Sequence, residues 1–90
     1  MNKNDLVAAI ASSAGLSKSD SARAVDSVFD TIADALKVGE EVRIVGFGSF
    51  HVTRRKESQG RNPRTGAPIT IPASNQPKFK AGKGLKDAVN

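Results

Sequence analysis

The sequence contains no cysteine, no tryptophan and no tyrosine, and it has a single histidine among its 90 residues. Without cysteine there are no disulfides, no thiolate catalysis and no zinc–sulfur sites. His51 has no cluster of carboxylates around it in the sequence, so no metal site and no activated serine can be assigned. No apolar run approaches the roughly 18 residues that a membrane span needs. We expect neither an enzyme nor a cofactor, a small-molecule substrate or a membrane partner.

Large apolar side chains are scarce as well. Four phenylalanines are the only aromatic residues in a chain whose hydrophobic content is 38%, much of it alanine. A domain of this length hides only about 60–65% of its unfolded surface. A second subunit is therefore the expected source of further burial. The first residues carry no apolar targeting segment, so a cytoplasmic location is expected.

The charge of the chain is distributed unevenly. Residues 1–52 contain five basic and seven acidic residues, whereas residues 53–90 contain nine basic and two acidic residues. The second part therefore accounts for the overall charge of +5. A basic segment that follows a mildly acidic one indicates a scaffold joined to an anion-binding surface, with nucleic acid as the first candidate. The alternative is an ordinary solvated basic tail.

Two helices are predicted at the start of the chain. Asn2 is the N-cap of the first, with Asp5 three residues later, and Gly15 follows its end near residue 13. Ser17 caps the second, which then runs for about 21 residues to Gly39 without an internal glycine or proline. Apolar residues cover about half of its circumference, enough to face more than one neighbour. We infer that this second helix packs on its own subunit and also lines a dimer interface. The alternative is one deep core within the chain. The interface residues of the helix would be Val25, Val28, Phe29, Ile32 and Leu36.

Two strands follow the helices. Alternation predicts them around residues 42–45 and 49–53, joined by a tight turn at residues 46–48 from which Phe47 tucks back onto the core. Further along, a short strand is expected at residues 77–80 and a short helix at residues 81–89. In that helix Leu85 and Val89 would face inward, one turn apart.

The segment between Thr53 and Pro77 has almost no large apolar residues but many glycines, prolines and arginines. It fits either a disordered linker or a two-stranded ribbon with legs at residues 52–60 and 68–76. We favour the ribbon, because these segments flank a compact turn. An isolated hairpin is only marginally stable in water, so such an arm is expected to be mobile until it binds.

The ribbon tip reads Gly60-Arg61-Asn62-Pro63-Arg64-Thr65-Gly66. Pro63 is apolar and rigid and has no N–H, so at the end of a ribbon it can wedge between base pairs and kink the duplex. Arg61 and Asn62 can reach acceptors on the floor of the minor groove. The remaining cations suit phosphate contacts, which fix register without reading bases. They are Arg54, Arg55, Lys56, Lys78, Lys80, Lys83, Lys86, Lys3 and Lys18.

A helix-turn-helix protein is the other DNA-binding class to consider, because Gly15-Leu16-Ser17 joins two helices. Its recognition helix would be the second one. That helix carries Asp26, Asp30 and Asp34 on its polar face, where they would repel phosphates. This interpretation is set aside.

The order of motifs along the chain resembles that of the HU family of bacterial nucleoid DNA-binding proteins, which includes integration host factor. The motifs are, in order, the helix pair, Val45-Gly46-Phe47-Gly48-Ser49-Phe50, the tip motif, Phe79-Lys80-Ala81-Gly82-Lys83 and the ending Leu85-Lys86-Asp87-Ala88-Val89-Asn90. The resemblance covers essentially the whole chain. It implies an α+β fold in an intertwined dimer: a helical base, a three-stranded antiparallel sheet per chain, a protruding two-stranded arm and a short C-terminal helix. Residues 1–52 would form the base and the start of the sheet, residues 53–76 the arm, and residues 77–90 the last strand and helix.

The resemblance also implies roles for individual residues. Pro63 would intercalate between base pairs of double-stranded DNA, with Arg61, Asn62 and Arg64 beside it in the minor groove. The protein would thereby bend, compact and stabilise the DNA of the nucleoid with little sequence specificity. Already distorted DNA would be preferred, and the partner subunit would be a second copy or a related chain. The dimer core would add Ile44, Phe47, Phe50 and Phe79.

The arm departs from the family pattern at Thr53, Ser58 and Ala67-Pro68, where charge is common. Fewer phosphate contacts there imply a shallower salt dependence of binding. Three other functions stay open at this point: a sequence-specific bender similar to integration host factor, a module whose basic arm binds an acidic protein, and RNA binding. Binding of single-stranded nucleic acid lacks support, because the sequence does not offer the exposed aromatic residues on which such proteins stack bases.

Overall fold

The computed structural model describes residues 1–90, which form two compact units, residues 1–35 and residues 36–90. The predicted α+β fold is confirmed, with two N-terminal helices, a three-stranded antiparallel sheet, a two-stranded ribbon and a C-terminal helix. The elements are α1 (Lys3–Ala14), α2 (Lys18–Lys37), β1 (Val42–Ile44), β2 (Gly48–Arg55), β3 (Ser58–Arg61), β4 (Pro68–Ile71), β5 (Ser74–Ala81) and α3 (Lys83–Ala88).

The helix ends follow the predicted capping residues. The Asn2 side chain accepts a hydrogen bond from the backbone N–H of Asp5 at 2.9 Å, and the Asp5 carboxylate accepts one from the backbone N–H of Asn2 at 3.0 Å. This reciprocal pair satisfies two N–H groups that the first turn of α1 leaves without partners. Ser17 Oγ accepts from the backbone N–H of Asp20 at 3.0 Å and starts α2 in the same way.

The helical unit buries little of its apolar surface. Val7 and Val25 are its buried apolar residues, and Ser21 between the helices is fully buried with no partner for its hydroxyl. Val28 and Phe29 of α2 are 54% and 49% exposed. They lie beside an open apolar groove, whose other lining residues are Leu6, Ile10, Ala24 and Val25. Because burial drives the stability of a small domain, this face of the helix pair calls for a further covering surface.

The sheet has the order β1-β2-β5, with every pair antiparallel. In its register Phe50 lies between Val42 and Phe79, and Ser49 lies between Arg43 and Lys80. Because side chains alternate between the two faces of a strand, these rows separate an apolar face from a polar one.

The phenylalanine cluster occupies the apolar face. The ring centroids of Phe79 and Phe50 are 4.8 Å apart, and those of Phe79 and Phe47 are 5.6 Å apart, both in tilted contact. Phe47 therefore folds back onto this cluster as predicted. Gly48 is buried beneath it, and a Cβ there would lie 2.5 Å from the Lys80 carbonyl oxygen and 2.6 Å from the Phe79 ring. A larger residue at this position of the β2–β5 pair would force its neighbours to shift.

The bounds of three predicted elements and the orientation of one side chain need correction. The turn between β1 and β2 covers residues 45–47, closed by a 3.0 Å hydrogen bond from the Phe47 N–H to the Ile44 carbonyl, whereas Gly48 already pairs in β2. The strand placed at 77–80 begins at Ser74, because polar residues 74–76 pair with the end of β2. The last helix is shorter than predicted and ends at Ala88. Val89 lies beyond it and is exposed, so its predicted inward position is wrong.

Candidate nucleic-acid interface

The arm continues β2 and β5 of the sheet. β3 pairs with β4 as an antiparallel ribbon, so the linker alternative is wrong. The pairing stops at residues 56–57 and 72–73, which divides each predicted leg into two strands. Pro72 has no N–H to donate to a ladder, and the break occurs there. The register is the same on both sides of the break, with Arg55 opposite Ser74 and Ser58 opposite Ile71, so neither leg contains an extra residue.

The tip of the arm is a closed turn. The Asn62 N–H donates to the Ala67 carbonyl at 2.8 Å, and the Gly66 N–H donates to the Asn62 carbonyl at 2.7 Å. Gly66 has a φ of 70°, a left-handed conformation that a side chain would strain. Pro63 and Arg64 are exposed within this turn. A rigid apolar ring thus lies at the outer end of the ribbon, with guanidinium groups at Arg61 and Arg64 on either side in the sequence.

One face of the sheet is polar and bears cations without acids. β1, β2 and β5 contain no acidic residue. Register and alternation place Lys80 in a row with Ser49 and Arg43, and Lys78 opposite His51. The carboxylate of Glu41, just before β1, lies 3.7 Å from the Arg43 guanidinium. Such a face attracts a polyanion, because its charges reinforce one another.

Arg43, Ser49 and His51 also lie on this face, although the sequence alone gives no reason to assign them to the site. Arg43 and Ser49 fall within the two predicted strands, where alternation marks them only as polar positions. Their placement beside Lys80 depends on which strands pair and in what register, which is a long-range property. The available signal was that both lie one residue away from apolar positions, and hence on the opposite face.

The predicted phosphate ligands fall into several groups. Lys78 and Lys80 lie on the polar face with Arg55, whereas Arg54 points to the other side and donates to Asn75 Oδ1 at 3.1 Å. Lys56 lies in the break of the arm. The remaining predicted cations of this unit, Lys83 and Lys86, are exposed on α3.

Two predicted phosphate ligands, Lys3 and Lys18, belong to the helical unit. Lys18 is exposed at the start of α2. Lys3 forms an ion pair with Asp26 of α2, with 2.5 Å between Nζ and Oδ1. The hydrogen bond to Asp26 and the charge of that carboxylate raise the pKa of the Lys3 amine. A phosphate would have to compete with Asp26 for this lysine.

The residues predicted for a dimer core remain largely uncovered within one chain. Val25 is buried and Ile32, Leu36 and Phe50 are half-buried. Phe47 and Phe79 are 45% and 44% exposed, and Ile44 of the same unit is 40% exposed. Val28 and Phe29 are exposed on the helical unit, as described above. Each unit therefore has its own incompletely covered apolar surface.

Other kinds of site find no support in the geometry. No group of three or more histidine, aspartate or glutamate side chains is arranged to hold a metal ion. None of the helices combines the length and apolar character that crossing a bilayer would demand.

Comparison with known proteins places this geometry in context. The family described as "Bacterial DNA-binding protein" matches residues 1–90. DNA-binding protein HRm of Rhizobium meliloti (strain 1021) is 66% identical over 90 residues, which is the full length of both chains. DNA-binding protein HU 1 of Bacillus subtilis (strain 168) is 57% identical over 89 residues, covering 99% of this chain and 97% of that one.

Solved structures of HU proteins are also similar to this chain. An Anabaena HU–DNA cocrystal structure superimposes with a TM-score of 0.95 at 40% identity, covering 99% of this chain and 97% of that chain. HU from Thermotoga maritima superimposes with a TM-score of 0.71 at 37% identity over the whole of both chains.

Proposed function

This chain belongs to the HU family of bacterial DNA-binding proteins, and from this we propose that it is an architectural protein that binds double-stranded DNA through the minor groove and bends it. It does so with little regard for sequence and acts in the bacterial nucleoid. The observation that carries the proposal is the exposed Pro63 in a hydrogen-bonded turn at the end of a basic two-stranded arm.

The tip has the properties of a wedge. Its proline ring has an apolar surface and no donor to leave unsatisfied between two base pairs. Unstacking a base step in this way kinks a duplex toward its major groove. Arg61 and Arg64 supply charge beside the wedge, and Asn62 supplies an amide, all suited to the acceptors of the minor-groove floor. These acceptors hardly distinguish one sequence from another, which is why the proposed binding is nearly non-specific.

The polar sheet face and the lysines of α3 would hold the rest of the duplex by its phosphates. Contacts of this kind carry no sequence information and depend strongly on salt. The active form would be a homodimer, in which the exposed Val28, Phe29, Phe47 and Phe79 become buried. Two arms per dimer would then give two kinks, and DNA that is already distorted would bind more tightly because part of the deformation is already present.

The test measures bending directly. A random-sequence duplex labelled at both ends is titrated with wild-type protein and with Pro63→Ala while energy transfer is recorded across a salt series. Pro68→Ala is the matched control, because Pro68 is also an exposed arm proline but lies in β4. We expect the ends to approach with wild type and with Pro68→Ala, and most of the approach to be lost with Pro63→Ala.

Three results would overturn the proposal or part of it. Binding without any approach of the ends would reduce the arm to an electrostatic clamp. Weak DNA binding that is insensitive to Pro63→Ala would favour a module that binds an acidic protein. Sedimentation of the free protein measures the subunit count, and a monomer at working concentration would exclude the two-armed mechanism.

A further inference from the structure

Asn62 forms hydrogen bonds at the tip with its side chain as well as with its backbone. Besides the two backbone hydrogen bonds that close the turn, its side-chain Oδ1 accepts from the backbone N–H of Arg64 at 2.8 Å. Asn62 is half-buried, although Arg61, Pro63 and Arg64 around it are exposed. This one residue therefore joins both legs of the ribbon and the residue after the wedge.

The side-chain bond acts on the segment that holds the proline. Asparagine favours this arrangement, because its carbonyl can take the place of a backbone acceptor for the N–H two residues later. The bond closes a small ring around the Asn62–Pro63 link and restricts the backbone torsions on both sides of the proline ring. The proline already fixes its own φ, so little freedom remains at the wedge.

We propose that Asn62 is a positioning residue, whose side-chain carbonyl holds Pro63 in its intercalating orientation before DNA is bound. This inference rests on the proposed function. It assigns separate tasks to the two atoms of the amide: Oδ1 is used within the protein, whereas Nδ2 stays available to donate to the minor-groove floor. The arm as a whole can be mobile while its tip keeps one shape.

Positioning of this kind has a defined effect on affinity. If the tip is ordered in only a fraction of free molecules, the apparent dissociation constant rises by the inverse of that fraction. The net contribution of one hydrogen bond, about 1 kcal/mol, corresponds to about a fivefold change in such a population. Loss of the Oδ1 bond should therefore weaken binding about fivefold for each arm that inserts.

The first experiment is made on the free, full-length protein. Exchange of the Arg64 amide hydrogen is measured by NMR in wild type, Asn62→Ala and Asn62→Asp. Asn62→Asp keeps an acceptor, a carboxylate oxygen, at the same position but removes the Nδ2 donors. Thr65→Val is the matched control, because it removes only the other side-chain bond of the tip, from the Ala67 N–H to Thr65 Oγ1 at 3.2 Å. We expect Arg64 to lose protection in Asn62→Ala alone, and equal protection in all four proteins would overturn the proposal.

The second experiment measures the bend at saturating protein, so that the negative charge of Asn62→Asp, which repels phosphates, does not obscure the result. Asn62→Asp and Thr65→Val should bend the duplex as wild type does. Asn62→Ala should bend it less, because a tip that is less often ordered also inserts its proline in a smaller fraction of the bound complexes. If Asn62→Asp bends as poorly as Asn62→Ala, the Oδ1 bond does not position the wedge. Wild type and Pro63→Ala are measured alongside: if these two bend alike, the wedge itself fails, and the Arg64 exchange still decides what Asn62 does in the free tip.

Discussion

The polar sheet face makes a quantitative prediction about salt. Lys80 and Arg43 lie in one row across the sheet, and no acidic residue belongs to its strands. The Lys80 side chain is available to a phosphate, whereas a phosphate at Arg43 would compete with Glu41, 3.7 Å from the guanidinium. Each phosphate that a protein neutralises contributes about 0.9 to the slope of log K against log salt concentration on duplex DNA. In a homodimer, one substitution removes two contacts. Lys80→Gln should therefore lower the slope by about 1.8.

This change is large on the scale of a binding curve. Between 50 and 200 mM salt, a difference of about 1.8 in slope amounts to a roughly twelvefold difference in how far affinity falls. Fluorescence anisotropy of a labelled random duplex, titrated at four or five salt concentrations, resolves it. Arg43→Gln should behave in the same way if the row is a phosphate track. Lys37→Gln, at the end of α2, is the control and should leave the slope unchanged.

Two outcomes would contradict a phosphate track along this row. If Lys80→Gln weakens binding equally at every salt concentration, the lysine contributes packing or orientation but neutralises no phosphate. If Lys80→Gln lowers the slope and Arg43→Gln does not, the duplex follows β5 and leaves the β1 edge free.

The remaining predictions concern stability. Gly48→Ala should lower the free energy of unfolding by roughly 1–3 kcal/mol, because the new methyl meets the Lys80 carbonyl and the Phe79 ring. Thermal unfolding by circular dichroism measures this, and an unchanged midpoint beside a Ser49→Ala control would contradict the close packing described here. Lys3 has a pKa raised above its ordinary value of 10.5 by Asp26, so its ion pair stabilises the protein fully below that pH and loses its effect as pH rises through the raised value. Unfolding measured between pH 9 and 12 should therefore show a loss of stability in wild type that Lys3→Gln lacks and Lys18→Gln retains; an identical loss in all three would assign it to other groups.

Local signals in the sequence predict the helical unit well. Asn2, Ser17 and Gly15 act within a few residues of themselves, so their capping roles can be assigned without knowledge of the fold. The tip turn is predictable for the same reason, because asparagine, proline and glycine each favour a particular local backbone.

The start of β5 and the polar row across the sheet depend on strand pairing between distant residues, so the sequence did not predict them. Residues 74–76 are polar and carry no strand signal of their own, yet they pair because the end of β2 lies alongside them. The partners of Arg43 and Ser49 follow from the register of three strands. The Oδ1 bond of Asn62 was missed because an exposed amide next to arginines suggests contact with DNA before it suggests contact with its own backbone.

The uninterrupted register between sheet and arm limits how the arm can vary in length. Each residue added to a leg moves all later side chains to the opposite face, so one extra residue in each leg would exchange the faces of the whole outer ribbon. One extra residue in a single leg would force a bulge. Viable length variants of this arm should therefore come in steps of two residues per leg, each step moving the tip about 7 Å outward. Such a step changes the reach of the arm and leaves each side chain on the same face of the ribbon.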